Sequence, residues 1–128
     1  MSKAPPKAME PLVGFAVPVV KAFLTDMAME ATGLAVQVHG GHGFIRDTGV
    51  EQLMRDAKIT CLYEGTNGIQ ALDLLGRKVL GDGGAKLRRF GGLVKAFVEA
   101  EGKTEGMAEF IEPLGELAGK IEKLTMEI

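Results

Sequence analysis

Eighteen glycines in 128 residues constrain this chain through where they fall. They cluster at 40–43, 65–68, 81–84 and 91–92. Glycine costs a helix interior roughly 1 kcal/mol relative to alanine and frees the backbone for turns. Most of the clusters stand between stretches whose apolar residues recur every three or four positions, which is the helical period. No stretch alternates as a strand would, and Val36–Val38 is too short to count. The chain is therefore predicted to be all-α, an antiparallel bundle of about five helices joined by short breaks. The expected form is a four-helix up-and-down bundle with an extra C-terminal helix.

Residues 1–14, which contain Pro5, Pro6 and Pro11, read as a loose lead-in. Residues 15–80 read as the main bundle segment, and 81–128 as a helical extension that completes the bundle or packs on it. The first helix is predicted from Pro18 to Val38, with proline tolerated in its first turn. Its apolar stripe is Val20, Phe23, Met27, Ala31, Leu34 and Val38. Gly40 and Gly41 supply the backbone freedom of its C-terminus. Asp47 or Thr48 is placed to cap a second helix carrying Val50, Leu53, Met54 and Ala57. A third is predicted from near Thr66 to Lys78, with Arg77 and Lys78 favourably placed in its last turn. Beyond Gly81–Gly84, a fourth carries Leu87, Phe90, Val94 and Phe97. A fifth carries Met107, Phe110 or Ile111, Leu114, Ala118, Ile121 and Leu124, with Pro113 able to delay or bend its start.

Fifteen basic and 17 acidic residues leave a formal charge of -2, which offers no footprint for nucleic acid or an acidic membrane. Hydrophobic residues make up 46% of the chain, as in ordinary globular proteins. Cys61 is the single cysteine, so no internal disulfide forms and a reducing compartment fits. No apolar run approaches the ~18 residues expected of a spanning segment. The opening "MSKAPPKAMEP" lacks the apolar centre of a signal peptide. The expectation is a soluble, cytoplasmic protein with no membrane span.

The stretch "CLYEGTNGIQ", residues 61–70, holds one carboxylate, Glu64, in a glycine-broken turn. One reading makes Glu64 a helix cap, since acids favour helix N-termini. The other makes it a general base. Leu62 and Tyr63 are bulky neighbours, and apolar walls raise a carboxyl pKa toward neutrality. Gly65 leaves room beside it for a substrate. "HGGHGF", residues 39–44, is glycine-rich in the manner of phosphate-approaching loops, or is simply a helix end followed by a turn. No strand–GxGxxG–helix unit accompanies it. His39 and His42 lack cysteine or carboxylate partners at ligand spacing, so no metal site is expected. Cys61 has no basic neighbour to activate it and reads as a small buried thiol. The C-terminal apolar stripes fit either a core or a subunit interface.

Three motifs fall in order: "QVHGGHGF", "LMRDAKI" and "YEGTNGIQ". Together they make residues 35–79 resemble the C-terminal helical domain of the acyl-CoA dehydrogenases. The preceding segment "VPVVKAFLTDMAMEATGLAVQ" fits that domain's previous helix. "GTNGIQALDLLGRK" is similar to the longer bacterial members, which carry an extra helical segment after the bundle. The resemblance implies FAD as cofactor and an acyl-CoA thioester as substrate, oxidised to the 2,3-enoyl-CoA. In the family a glutamate removes the α-proton while the β-hydrogen leaves as hydride to the flavin. Electrons then pass to an electron-transferring flavoprotein. The base position corresponds to Glu64, and Gly65 to a substrate-side backbone position. Thr66, Asn67 and Gly68 correspond to a flavin-contacting turn, Gly68 offering backbone where many relatives offer a side chain. Gln37, Val38, His39, Gly40 and Gly41 correspond to a segment that touches FAD held by a neighbouring subunit, which implies a homo-oligomer. Family members also carry an N-terminal helical domain and a central β-domain, so this chain is expected to be a fragment that is inactive alone. The alternative is a non-catalytic helical assembly or interaction module.

Overall fold

The computed structural model describes residues 9–127, apart from the Met126 side chain. Pro5 and Pro6 of the expected lead-in lie outside this range. Among the described residues every regular element is helical. Helix α1 runs Glu10–His39, the short α2 Gly41–Phe44, α3 Val50–Thr60 and α4 Asn67–Leu72. A π-helical stretch, Asp73–Val79, carries α4 onward, followed by a 3-10 turn at Leu80–Asp82. Helices α5 (Ala85–Glu101) and α6 (Ala108–Met126) form a hairpin. Helix α1 is the central element, touched by α2, α3, α4, the π stretch and α5, while α6 packs on α5.

The breaks fall where glycine allows them. Gly40, at φ 59° and ψ -142°, ends α1 in a region open essentially to glycine alone, and its N–H bonds the Gln37 carbonyl. Gly83 and Gly84 both have positive φ between the π stretch and α5. Asp82 caps that start: its Oδ1 accepts from the Ala85 N–H at 3.0 Å, and its Oδ2 pairs with Lys86 at 2.7 Å. The Lys86 hydrogen bond, above all, holds the Asp82 carboxyl below its usual value.

Five expectations need correction. Helix α1 begins at Glu10, within the expected lead-in. Pro11 occupies the first turn, and Pro18 sits inside the helix, buried. The second correction concerns caps. Asp47 and Thr48 belong to a 3-10 turn, Gly49 is the residue at the cap position of α3, and the Thr48 hydroxyl donates back to the His42 and Ile45 carbonyls. Third, Pro113 does not delay α6, which starts five residues before it.

The fourth is the apolar face of α1. Val20, Phe23, Met27, Leu34 and Val38 point outward, Phe23 being 60% and Val38 84% exposed. The buried apolar residues of α1 are Leu12 and Phe15 near its start, and the Phe15 ring stacks at a tilt on Phe90 of α5, centroids 5.8 Å apart. Farther along, the half-buried positions of the inner face are mostly small or polar, Lys21, Ala22, Thr25, Ala28, Thr32, Gly33 and Ala35, with Met29 and Val36 the larger apolar ones. A helix that is apolar nearly all round gives no periodic cue to its inner side, and small residues let a neighbour approach. For the same reason α1 holds an 18-residue window of mean hydropathy 1.6, long and apolar enough to cross a membrane. The expectation that no segment approaches that length is thereby corrected.

Candidate active site

Cys61–Gly65 form an irregular turn that ends at Thr66, the true N-cap of α4. The Thr66 hydroxyl accepts from the Ile69 N–H at 3.3 Å. That resolves the first ambiguity of Glu64: the cap is Thr66, and the Glu64 carboxylate is exposed. Glu64 is the non-glycine residue with positive φ among those described, at 55°, and Gly65 follows at 87°. A left-handed conformation costs an ordinary residue roughly 1–2 kcal/mol, so surrounding contacts must hold it.

Those contacts come from α1 and α4. The Gln70 side-chain amide donates to the Glu64 carbonyl at 3.0 Å and to the Gly65 carbonyl at 3.5 Å. Lys21 of α1 reaches across with its Nζ to the Gly65 carbonyl at 2.8 Å and to Asn67 Oδ1 at 3.3 Å. Asn67 is the hub. Its Nδ2 donates to Asp26 at 2.8 Å and its Oδ1 accepts from the Thr25 hydroxyl at 3.2 Å. Cys61 closes the near side, its Sγ 3.5 Å from the Thr25 carbonyl, half-buried rather than fully so. The loop is thus pinned to one turn and a half of α1. Both carbonyls of the left-handed pair turn inward, and the carboxylate is left outside.

Gly65 is required twice here. Its φ suits glycine, and an added Cβ would stand 2.9 Å from the Gln70 amide nitrogen. Sequence reasoning marked Gly65 for substrate space but missed Lys21, Thr25, Asp26 and Gln70. Three of these lie more than 40 positions away, beyond any local pattern. The side chain of Asn67, expected to face a cofactor, is engaged by α1, so what Asn67 and Gly68 offer outward is the backbone of the first helical turn. Among the described residues the expected apolar walls do not enclose Glu64: Leu62 and Tyr63 are each 50% exposed.

Gln37, Val38, His39, Gly40 and Gly41 sit together at the far end of α1, all exposed. His39 Nδ1 lies 2.9 Å from the Ala35 carbonyl, so Nδ1 carries the hydrogen and Nε2 is left for an outside partner. A Cβ at Gly40 or Gly41 would meet nothing within 4 Å, whereas one at Gly43 would press to 2.5 Å on the Val36 carbonyl oxygen. Gly43, which sequence reasoning did not single out, makes the corner possible. From Lys21, where the 61–66 loop docks, to His39 is 18 residues of helix, about 27 Å at 1.5 Å per residue. The two candidate segments do not converge within one protomer. Among the described residues no group of three His, Cys, Asp or Glu side chains could hold a metal.

The sequence profile of the acyl-CoA dehydrogenase C-terminal domain matches residues 4–80. The chain is 58% identical over 82 residues to a 3-methylmercaptopropionyl-CoA dehydrogenase of Ruegeria pomeroyi, covering 64% of this chain and 14% of that protein. A broad-specificity linear acyl-CoA dehydrogenase of Mycobacterium tuberculosis is 42% identical over 66% of this chain and 14% of its own length. A butyryl-CoA dehydrogenase of Syntrophomonas wolfei is 39% identical over 73% and 15%. The chain therefore spans a small fraction of these relatives, and the profile ends just before α5. On its ordered motifs, its helical architecture and this match, the chain belongs to the acyl-CoA dehydrogenase family, as its C-terminal helical domain.

Proposed function

We propose that this chain carries the catalytic base of an FAD-dependent acyl-CoA dehydrogenase, with Glu64 taking the α-proton of an acyl-CoA thioester. The observation that carries the reading is the backbone of Glu64. A carboxylate in a left-handed conformation, pinned by Lys21, Gln70 and the Asn67 hub, is held at an energetic cost that a solvated surface acid has no reason to bear. A general base gains from fixed position. In this chain alone the carboxylate faces water, so the surface that excludes water from it during the reaction is supplied from outside the described residues.

Bound FAD would supply the hydride acceptor for the β-hydrogen, and an electron-transferring flavoprotein would take the electrons on. The residues here fit such a group in a limited way. Thr66–Gly68 offer open backbone at a helix start, and Gln37–Gly41 offer open backbone and His39 Nε2 at a corner with free space beside it. The separation along α1 supports serving two different flavins in an oligomer, each segment facing a separate copy's site. The work of this chain is then to hold the base, to leave Gly65 open to the thioester side, and to accept the proton on the Glu64 carboxylate.

The test replaces the corresponding stretch of the Ruegeria pomeroyi relative with residues 4–80, the part matched by the family profile, and introduces Glu64→Gln. The expected variant keeps its flavin absorbance, loses reduction of an electron acceptor by acyl-CoA, and loses exchange of the substrate α-proton with deuterated solvent. Retained exchange would remove Glu64 from the role of base and favour the reading of a non-catalytic assembly module.

A further inference from the structure

Helix α6 has two apolar faces, and only one is used. Ile111, Gly115 and Ala118 face α5, with Ile111 buried and the Gly115 backbone close against Val98. The second face is Phe110, Leu114, Leu117, Ile121 and Leu124, spaced four, three, four and three residues apart. That is the a/d repeat of a helix seam, and with the α5-facing positions it gives the stripe width of a bundle helix. Leu114 is half-buried, and the others are exposed, Phe110 and Leu124 at 62% each. Beside the seam an open groove of about 520 Å³ runs between α5 and α6, lined by Leu87, Phe90, Val94 and Ile121 and widened by Gly91 and Gly119.

Charge along the hairpin is sharply divided. Its open end, residues 85–95 and 118–126, carries Lys86, Arg88, Arg89, Lys95, Lys120 and Lys123 against one acid, Glu122. Its turn end, residues 96–117, carries Glu99, Glu101, Glu105, Glu109, Glu112 and Glu116 against one base, Lys103. Asp82 neutralises part of the open end through Lys86, Lys95 reaches Glu99 at 4.0 Å and Arg89 is itself engaged, yet Arg88, Lys120 and Lys123 still outnumber Glu122, so the division survives the local pairs. Such a surface repels a parallel copy of itself and complements an antiparallel one.

We propose that the seam of α6 is covered by the α6 of a second copy of this chain, antiparallel about a two-fold axis near Leu117. The two hairpins then form a four-helix bundle in which each basic end lies on the partner's acidic end. An isologous pairing needs a surface that complements itself under a two-fold rotation, and the opposite charge of the two ends supplies it. This inference does not depend on the reaction proposed for Glu64, since α5 and α6 lie beyond the matched family domain.

The 128-residue chain tests it directly. In light scattering and sedimentation the α6-mediated dimer should weaken as salt is raised, because the steering charges are exposed. Lys120→Glu with Lys123→Glu should weaken dimerisation about tenfold at low salt, and adding Glu109→Lys with Glu116→Lys should restore it. All four positions are exposed, so the helix content by circular dichroism should hold even if Ile121→Glu, which should also dissociate the pair, fails to fold. In a Cys61→Ser background, Leu117→Cys should form a disulfide-linked dimer on mild oxidation. A Leu117→Cys chain that stays unlinked would overturn the proposal, as would a charge swap that fails to restore the dimer. So would a seam that becomes protected only on joining other domains of the enzyme.

Discussion

The two glycine-rich loops of this domain are held in opposite ways. The corner at residues 39–44 is built from backbone. Gly40 turns the chain, Gly43 passes against Val36, and the side-chain contribution is short-range, from His39 to Ala35 and from Thr48 to His42. The loop at residues 61–70 is built from side chains, with Lys21, Thr25, Asp26, Asn67 and Gln70 tying it to α1 and to its own helix. A backbone corner is specified by the absence of side chains and presents open polypeptide to whatever meets it. A side-chain latch can hold one residue in a conformation it would otherwise leave, and Glu64 is that residue.

Substitution can break the two devices separately. Gly43→Ala should do most harm, because its Cβ would stand 2.5 Å from a backbone oxygen and 2.9 Å from the His39 Cβ, neither at the end of a flexible side chain. We expect a loss of about 3 kcal/mol in urea unfolding, near the upper range for overpacking. Asn67→Ala removes the hub and strands partly buried partners on α1. It should cost about 1–2 kcal/mol, and amide exchange should rise at residues 62–66 while the 39–44 corner stays protected. Glu64→Gly has the opposite sign. Relief of the left-handed strain exceeds the added freedom of the unfolded chain, for a net gain of about 0.5 kcal/mol. A loss of stability in that variant would mean that the Glu64 side chain, and not only its backbone, belongs to the latch.

Much of the architecture was legible from glycine position and apolar period. The breaks near 40, 65 and 83 and the helices between them stand where the sequence predicts. What escaped did so for physical reasons. The inner face of α1 is written largely in Lys21, Thr25, Ala28, Thr32 and Gly33, small or polar residues that add little to an apolar stripe, while most of its large apolar residues face out. The latch joins positions 41 to 46 apart in sequence, and no spacing rule links them. The π stretch at Asp73–Val79 leaves no composition signal, since Leu74, Leu75, Gly76 and Val79 read as ordinary helix. Glu64 itself could be named from its motif. That its carboxylate is not the cap, and that its backbone is strained, required coordinates.

The outward stripe of α1 also matters during synthesis. Phe23, Leu24, Met27 and Leu34 lie on a helix that can form early and locally, yet none of them is covered when the described helices have packed. From the moment α1 folds until another surface arrives, the chain displays the kind of apolar face that chaperones bind and that drives aggregation. The yield of soluble protein should therefore follow how soon that covering surface is available, more than the stability of the bundle behind it.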